Sequence, residues 1–144
     1  MVYSYKYPRP SVTTDAIVID NSLSQVKILL VQRKKKPYKD LWAFPGGFMN
    51  MDETLEECAP RELKEETGID NVQLKQFKAY STVDRDPRGR TISVVFYGFC
   101  NSNNVIPVAD DDAKDAKWFL LPDLPKMAFD HLEILQDLIS SLKI

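Results

Sequence analysis

The sequence predicts an α/β fold, a sandwich of helices packed on a mixed β-sheet. Three observations carry this. Short runs rich in β-branched residues alternate with two longer stretches of helical period, in the order strands, helix, strands, helix. Turn-forming clusters separate the runs, with no polar linker between them. No repeat or low-complexity tract interrupts the 144 residues, a length that fits one domain, 1–144, with its own core.

Residues 11–19 alternate and are rich in Val, Thr and Ile, as a strand would be. Residues 20–24 are turn formers. Residues 25–32 (QVKILLVQ) are the most apolar run and predict a central strand. Residues 33–40 are basic and broken by Pro37, so they read as a loop. Residues 41–44 predict a short strand stopped by Pro45, Gly46 and Gly47. Residues 54–67 predict a helix, because Thr54 and Glu57 match a capping box and Gly68 suits the position after its end. Pro60 conflicts with that helix, since it removes a backbone hydrogen bond. A helix that accepts Pro60 is held by something other than propensity. Residues 72–83 and 91–100 predict two strands joined by a loop over 84–90, where Asp86-Pro87-Arg88-Gly89 is turn chemistry. Residues 116–121 predict a short strand. Residues 129–142 predict an amphipathic helix with Leu132, Ile134, Leu135, Leu138, Ile139 and Leu142 on its apolar face.

Composition limits the function. Nineteen Lys and Arg against 21 Asp and Glu leave a net charge of −2, which gives no general pull toward nucleic acid or anionic membrane. No nucleic-acid partner is therefore expected, and phosphate binding must come from a local arrangement or from a metal. No apolar run approaches the roughly 20 residues of a membrane span. Residues 1–10 are polar, aromatic and proline-rich, without the apolar stretch of a signal peptide, so a cytoplasmic protein is expected. Cys58 and Cys100 are too few for a disulfide scaffold and are expected to be reduced thiols.

Residues 47–69, GFMNMDETLEECAPRELKEETGI, carry the chemistry. Glu62, Glu65 and Glu66 are spaced i, i+3, i+4, which puts three carboxylates on one helix face. Like charges so close destabilise a helix unless a cation neutralises them. Arg61 can pair with only part of the cluster, and Lys64 is on another face. A bare run of this kind is a solvated acidic face. Here it sits in a longer pattern: Gly, five residues, Glu, seven residues, Arg-Glu-apolar-x-Glu-Glu-x-Gly-apolar. With average residue usage, a chance match in this chain is on the order of 1 in 10⁷ to 10⁸.

This segment resembles the signature of the Nudix hydrolase family, with every fixed position filled, and the flanking strand order is similar to the family fold along nearly the whole chain. The resemblance implies an α/β/α sandwich with the signature as loop–helix–loop. It implies that Glu62, Glu65 and Glu66 coordinate a divalent metal, helped by the carbonyl of Gly47, while Glu53 and Arg61 orient the cluster. Hard oxygen ligands select magnesium, with manganese as a possible substitute. Such a metal offsets phosphate charge and lowers the pKa of a bound water, whose proton a glutamate can take. Glu62 is one candidate base. The family often places the base in a later loop, where Asp110, Asp111 and Asp112 stand as carboxylates or simply as an acidic turn.

Three further features resemble the ADP-ribose pyrophosphatase subfamily. They are Tyr7-Pro8-Arg9-Pro10 ahead of the first strand, residues 84–94 (DRDPRGRTISV), and Ala128-Phe129-Asp130-His131 before the last helix. Arg85, Arg88 and Arg90 are candidates for holding phosphate or ribose, since arginine suits bidentate phosphate recognition, or they form a solvated hairpin loop. Arg33 and the lysines after it either add positive charge beside the site or are solvated. His131 reads as a cap or core hydrogen-bonder, and Trp42 and Phe44 as core. The expected reaction is hydrolysis of a nucleoside diphosphate linked to another moiety, foremost ADP-ribose to AMP and ribose 5-phosphate. Cleansing of damaged nucleoside triphosphates is an alternative. So is a ligand-sensing core, as in the related Nudix domain of NAD-metabolism transcriptional regulators. The subfamily resemblance implies a homodimer.

Overall fold

The longest apolar strand organises the sheet. In a computed structural model describing residues 2–144, β1 (Ser11–Asp20) pairs in parallel with β6 (Thr91–Phe99), from Ser11 opposite Thr91 to Ile19 opposite Phe99. Its other edge is shared. Thr13, Thr14 and Asp15 pair antiparallel with β4 (Gly46–Phe48), while Ile19 and Asp20 pair with β2 (Lys27–Arg33). The partners β4 and β2 therefore part company between Asp15 and Ile19. Two more strands flank β2, namely β3 (Trp42–Ala43) and β7 (Ala113–Leu120), and β5 (Lys75–Tyr80) closes the far side against β6. Met1, the first residue of the expected domain, lies outside the described residues.

Alternation along the strands sorts the core into two layers. Ile17, Ile19, Ile28, Leu30 and Val95 face one way and pack on Ile134, Leu135 and Leu138 of α2 (His131–Leu142). Val18 and Leu29 face the other way and pack on Leu63 of α1 (Leu55–Thr67), where Val94 and Phe96 meet Ala59. The result is the expected α/β/α sandwich. Each fully buried Ile or Leu contributes roughly 1.5–3 kcal/mol relative to exposure. Among the described residues no helix is long and apolar enough to cross a membrane.

Helix α1 begins and ends as its sequence predicts. The Thr54 hydroxyl accepts from the Glu57 N–H, the Glu57 carboxylate accepts from the Thr54 N–H, and Gly68 closes the helix at φ 75°. It runs unbroken through Pro60. Cys58, Ala59 and Leu63 are buried on the sheet while Pro60 faces solvent, so tertiary packing offsets the roughly 3 kcal/mol that an interior proline costs.

Several boundaries differ from the sequence reading. Pro45-Gly46-Gly47 does not merely stop a strand, because Gly46 and Gly47 belong to β4. Residues 72–83 shorten to β5: Val72 and Leu74 pack toward α1, and residues 81–83 turn away with the loop. The strand expected from 116 starts at Ala113, its first turn disguised by Lys114 and Asp115. Helix α2 starts at His131 and not at 129, because Phe129 has a left-handed backbone (φ 51°). Asp20 is no turn residue but the buried end of β1. Its carboxylate accepts from the backbone N–H groups of Ser22 and Ser102 and from both hydroxyls. Burial opposes its ionisation, yet these bonds hold it well below the usual carboxylate range. Cys58 and Cys100 are free thiols, as read.

Candidate active site

Two glycines let α1 close on the sheet. A Cβ on Gly47 would lie 2.6 Å from the Glu62 carboxylate, so a side chain there would displace the acid. Next to it, the Gly46 N–H donates to Glu66 Oε1 at 3.0 Å. Glu66 is buried, and burial pushes its carboxyl up to about 9, with the charges of Glu62 and Asp15 adding to the rise and the Gly46 N–H opposing it. Burial also raises the Glu62 carboxyl, against the pull of Arg61. Both acids press against β4, and of the two only Glu62 has a guanidinium partner, Arg61.

Arg61 serves only the outer part of the cluster. Its Nε and Nη2 donate to Glu53 at 2.8 and 2.6 Å, and Nη1 donates to Glu62 at 2.8 Å and Glu65 at 3.1 Å. Arg61 Nη2 also donates to the carbonyl of Phe48 at 3.2 Å. These guanidinium bonds hold the Glu53 carboxyl at about 2. No such bond reaches Glu66, which holds its proton up to about 9 and would give it up at neutral pH only for an outside cation.

The donor set fits a hard divalent cation, because carboxylate oxygens of Glu62 and Glu66 crowd the same glycine turn and a single guanidinium, on Glu62 alone, offsets them. Among the described residues no three acidic, histidine or cysteine side chains are already gathered at ligand spacing. Glu65 stays outside, on Arg61, with its side chain 44% exposed. Magnesium tolerates such a partial set, since it usually keeps waters and substrate oxygens as ligands.

Glu62, Glu66 and Gly47 line a cleft of about 350 Å³ where β2 and β4 part. The same cleft is lined by the cationic and aromatic side chains of Arg33, Arg88, Phe48 and Phe129. Arg33 donates from Nε to the Pro37 carbonyl at 2.7 Å. Burial and the charge of Arg88 lower its pKa. Arg88 is gripped by Asp86 through Nε at 3.0 Å and Nη2 at 2.7 Å. Asp86 is buried, yet those bonds hold it below its ordinary range. Asp111 and Asp112 border the same cleft, and the backbone N–H of Asp110 ties their loop to the Glu66 carbonyl.

The other two arginines are placed differently. Arg85 reaches the cleft, but its side chain is only 4% exposed and is locked to Asp130 through Nε at 2.9 Å and Nη2 at 2.6 Å. Arg90 is not part of the cleft wall and donates to the Ser81 carbonyl at 2.8 Å. His131 is a core hydrogen-bonder: its Nδ1 accepts from the Phe44 N–H at 3.1 Å, and Nε2 lies 3.7 Å from Asp15. Burial pushes its pKa down, so it is neutral. Sequence reasoning assigned no role to Phe48, and named Asp86, Phe129 and Asp130 only within segments that resemble the subfamily. Phe129 fell on the helical period of α2, and Asp130 looks like a helix cap.

Residues 9–138 match the family profile of the NUDIX domain. The chain is 44% identical over 131 residues to an ADP-ribose pyrophosphatase of Methanocaldococcus jannaschii, covering 91% of this chain and 74% of that protein. It is 35% identical over 140 residues to the ADPR responsive transcriptional repressor NtrR of Acinetobacter baylyi, covering 94% of this chain but only 56% of that protein. Among solved structures, the NUDIX domain of Shewanella oneidensis NrtR complexed with ADP ribose matches with a TM-score of 0.88 at 30% identity, over 97% of this chain and 94% of that one. A bifunctional NMN adenylyltransferase/ADP ribose pyrophosphatase of Francisella tularensis, complexed with AMP and a Mn ion, matches at 0.79 and 38% identity, over 95% of this chain and 43% of that one. With its signature residues gathered on α1 and β4 in this fold, the chain belongs to the Nudix hydrolase family.

Proposed function

We propose that this protein hydrolyses ADP-ribose, or a closely similar ADP-linked compound, to AMP and ribose 5-phosphate with magnesium, for which manganese can substitute. The observation that carries this is one cleft lined by two crowded glutamates, of which Glu66 has no guanidinium partner, and by the guanidinium groups of Arg33 and Arg88. Glu62, Glu66 and the Gly47 carbonyl would hold the metal, with Glu65 joining as Arg61 releases it. When bound, the metal supplies charge neutralisation and a more acidic water. Arg33 and Arg88 bind the diphosphate oxygens. The water oxygen bonds to one phosphorus as the bridging P–O bond breaks, its proton passes to a carboxylate such as Glu62, and the bridging oxygen leaves with the other phosphate. The similarity to an ADP-ribose pyrophosphatase and to a domain bound to ADP ribose supports this choice of substrate.

A second reading, a sensor that binds ADP-ribose without splitting it, is favoured by the similarity to NtrR and to the NrtR domain. Product analysis separates the readings. ADP-ribose, NADH, a diadenosine polyphosphate and an oxidised deoxyguanosine triphosphate are each incubated with and without magnesium. AMP and ribose 5-phosphate formed fastest from ADP-ribose, and only with metal, is the expected result. Tight binding without turnover identifies the sensor. Fastest release of pyrophosphate from the triphosphate identifies the cleansing enzyme.

A further inference from the structure

We propose that Phe129 is a positioning residue whose ring holds Arg33 and Arg88 side by side as a paired receptor for the two phosphoryl groups of a diphosphate. This rests on reading the cleft as a nucleoside diphosphate site. Phe129 itself lies outside the Nudix signature.

The backbone of Phe129 is the first indication. Its φ of 51° lies in the left-handed region that a Cβ disfavours, and such strain persists only where the surroundings impose it. They do so here. Ala128 is fully buried, and its N–H donates to the Trp42 carbonyl at 2.7 Å. Asp130 is locked to Arg85, and His131 is buried under Phe44. The chain is thus pinned on both sides of Phe129, and the ring is set on the cleft wall. Tyr38 and His131 brace it, with ring centroids 4.8 and 5.4 Å away.

Two cations share that ring. The Arg33 guanidinium lies 5.0 Å and that of Arg88 5.3 Å from its centroid, and Arg88 also lies 4.7 Å from Phe48. Two guanidinium groups that share a ring repel, and the charge of Arg88 adds to burial in lowering the Arg33 pKa. The negative face of an aromatic ring attracts both and offsets part of that repulsion. Pro37 fixes one edge of Arg33 and Asp86 one edge of Arg88. Among the described residues, neither Nη group of Arg33 nor Nη1 of Arg88 donates to any partner. The cleft therefore presents two cations held against one ring, each with open donors. Two linked phosphates can engage both, whereas a single phosphate engages them less completely.

The test is calorimetric titration of inorganic pyrophosphate and inorganic phosphate into metal-free protein at low ionic strength, so no turnover is needed. Wild type should bind pyrophosphate about tenfold or more tighter than phosphate. Phe129→Leu keeps the bulk but loses the π face, and should weaken pyrophosphate binding about tenfold. Phe129→Tyr should stay within about twofold of wild type. In the R33Q/R88Q background, Phe129→Leu should have no further effect. If Phe129→Leu does not fold, Phe129→Met replaces it. The proposal is overturned by a Leu or Met variant with wild-type affinity, by an equal loss in the R33Q/R88Q background, or by a wild type that does not prefer pyrophosphate. Intact pyrophosphate preference in a protein that leaves ADP-ribose uncut would sink the enzymatic reading and leave this one standing.

Discussion

Arg61 grips Glu53 through two of its nitrogens and turns the third onto Glu62 and Glu65. Glu53 thereby sets how far the guanidinium can lean over the acids that would hold metal. Glu53→Gln weakens that grip and frees Arg61 to compete with a cation. The half-saturating magnesium concentration should rise by about tenfold or more, with a smaller loss of turnover at saturating metal. Unchanged magnesium dependence would remove Glu53 from this role. There is also an acid signature. The Glu53 carboxyl is lowered from 4.5 to about 2, so the stability it contributes is complete above its unfolded value and is lost as pH falls toward 2. Acid melts of Glu53→Gln should lack that loss.

Glu66 behaves in the opposite sense. In metal-free protein its folded value, about 9, exceeds its ordinary 4.5, so the folded state holds the proton more tightly. Stability should then fall as pH rises from about 4.5 to 9, by on the order of a few kcal/mol. Glu66→Gln should flatten this decline in chelator and abolish magnesium-dependent turnover. A wild type whose melting temperature is level across the window would contradict the burial of this charge.

Neighbouring glycines should respond differently to alanine. At Gly47 the three atoms nearest the new Cβ all belong to the movable end of Glu62, so Gly47→Ala should keep its melting temperature while losing most turnover. At Gly46 it meets the Thr14 carbonyl and the Cα of Asp15, which cannot swing aside, so Gly46→Ala should destabilise the protein by roughly 1–3 kcal/mol. Thermal melts beside activity assays decide both, and a Gly47→Ala enzyme of full activity would mean Glu62 need not sit there.

Within the arginine loop, Arg88 and Arg90 offer a matched pair. Arg88→Ala should raise KM for ADP-ribose about tenfold or more with little change in kcat, the loss of a charge-assisted contact. Arg90→Ala should leave both unchanged, since its Nη1 serves the Ser81 carbonyl away from the cleft. Equal effects from the two substitutions would return the loop to a general electrostatic role.

What the sequence revealed followed from local rules. The capping box of α1, the two-layer core and the glutamate face all depend on spacings of two to four residues. The cleft's cationic lining was harder to see. Arg33 and Arg88 are 55 positions apart and meet through Phe129, which lies on the period of an apolar helix stripe yet adopts a left-handed backbone. Arg85, Arg88 and Arg90 look alike in a row, and only their carboxylate and carbonyl partners, Asp130, Asp86 and Ser81, tell them apart. Strand β4 stayed hidden because glycines disfavour strands except where another group must come close.

The lock between Arg85 and Asp130 leaves α2 without a side-chain cap at its first turn. A side-chain cap contributes about 1 kcal/mol to a helix, and a serine or threonine at 130, free of Arg85, could supply one. Here it would strand a buried guanidinium and loosen the loop that carries Arg88. Breaking a buried ion pair costs about 3–5 kcal/mol, more than a cap returns, so stability and the cleft ask for the same residue here, and a thermostabilised library should keep Asp130.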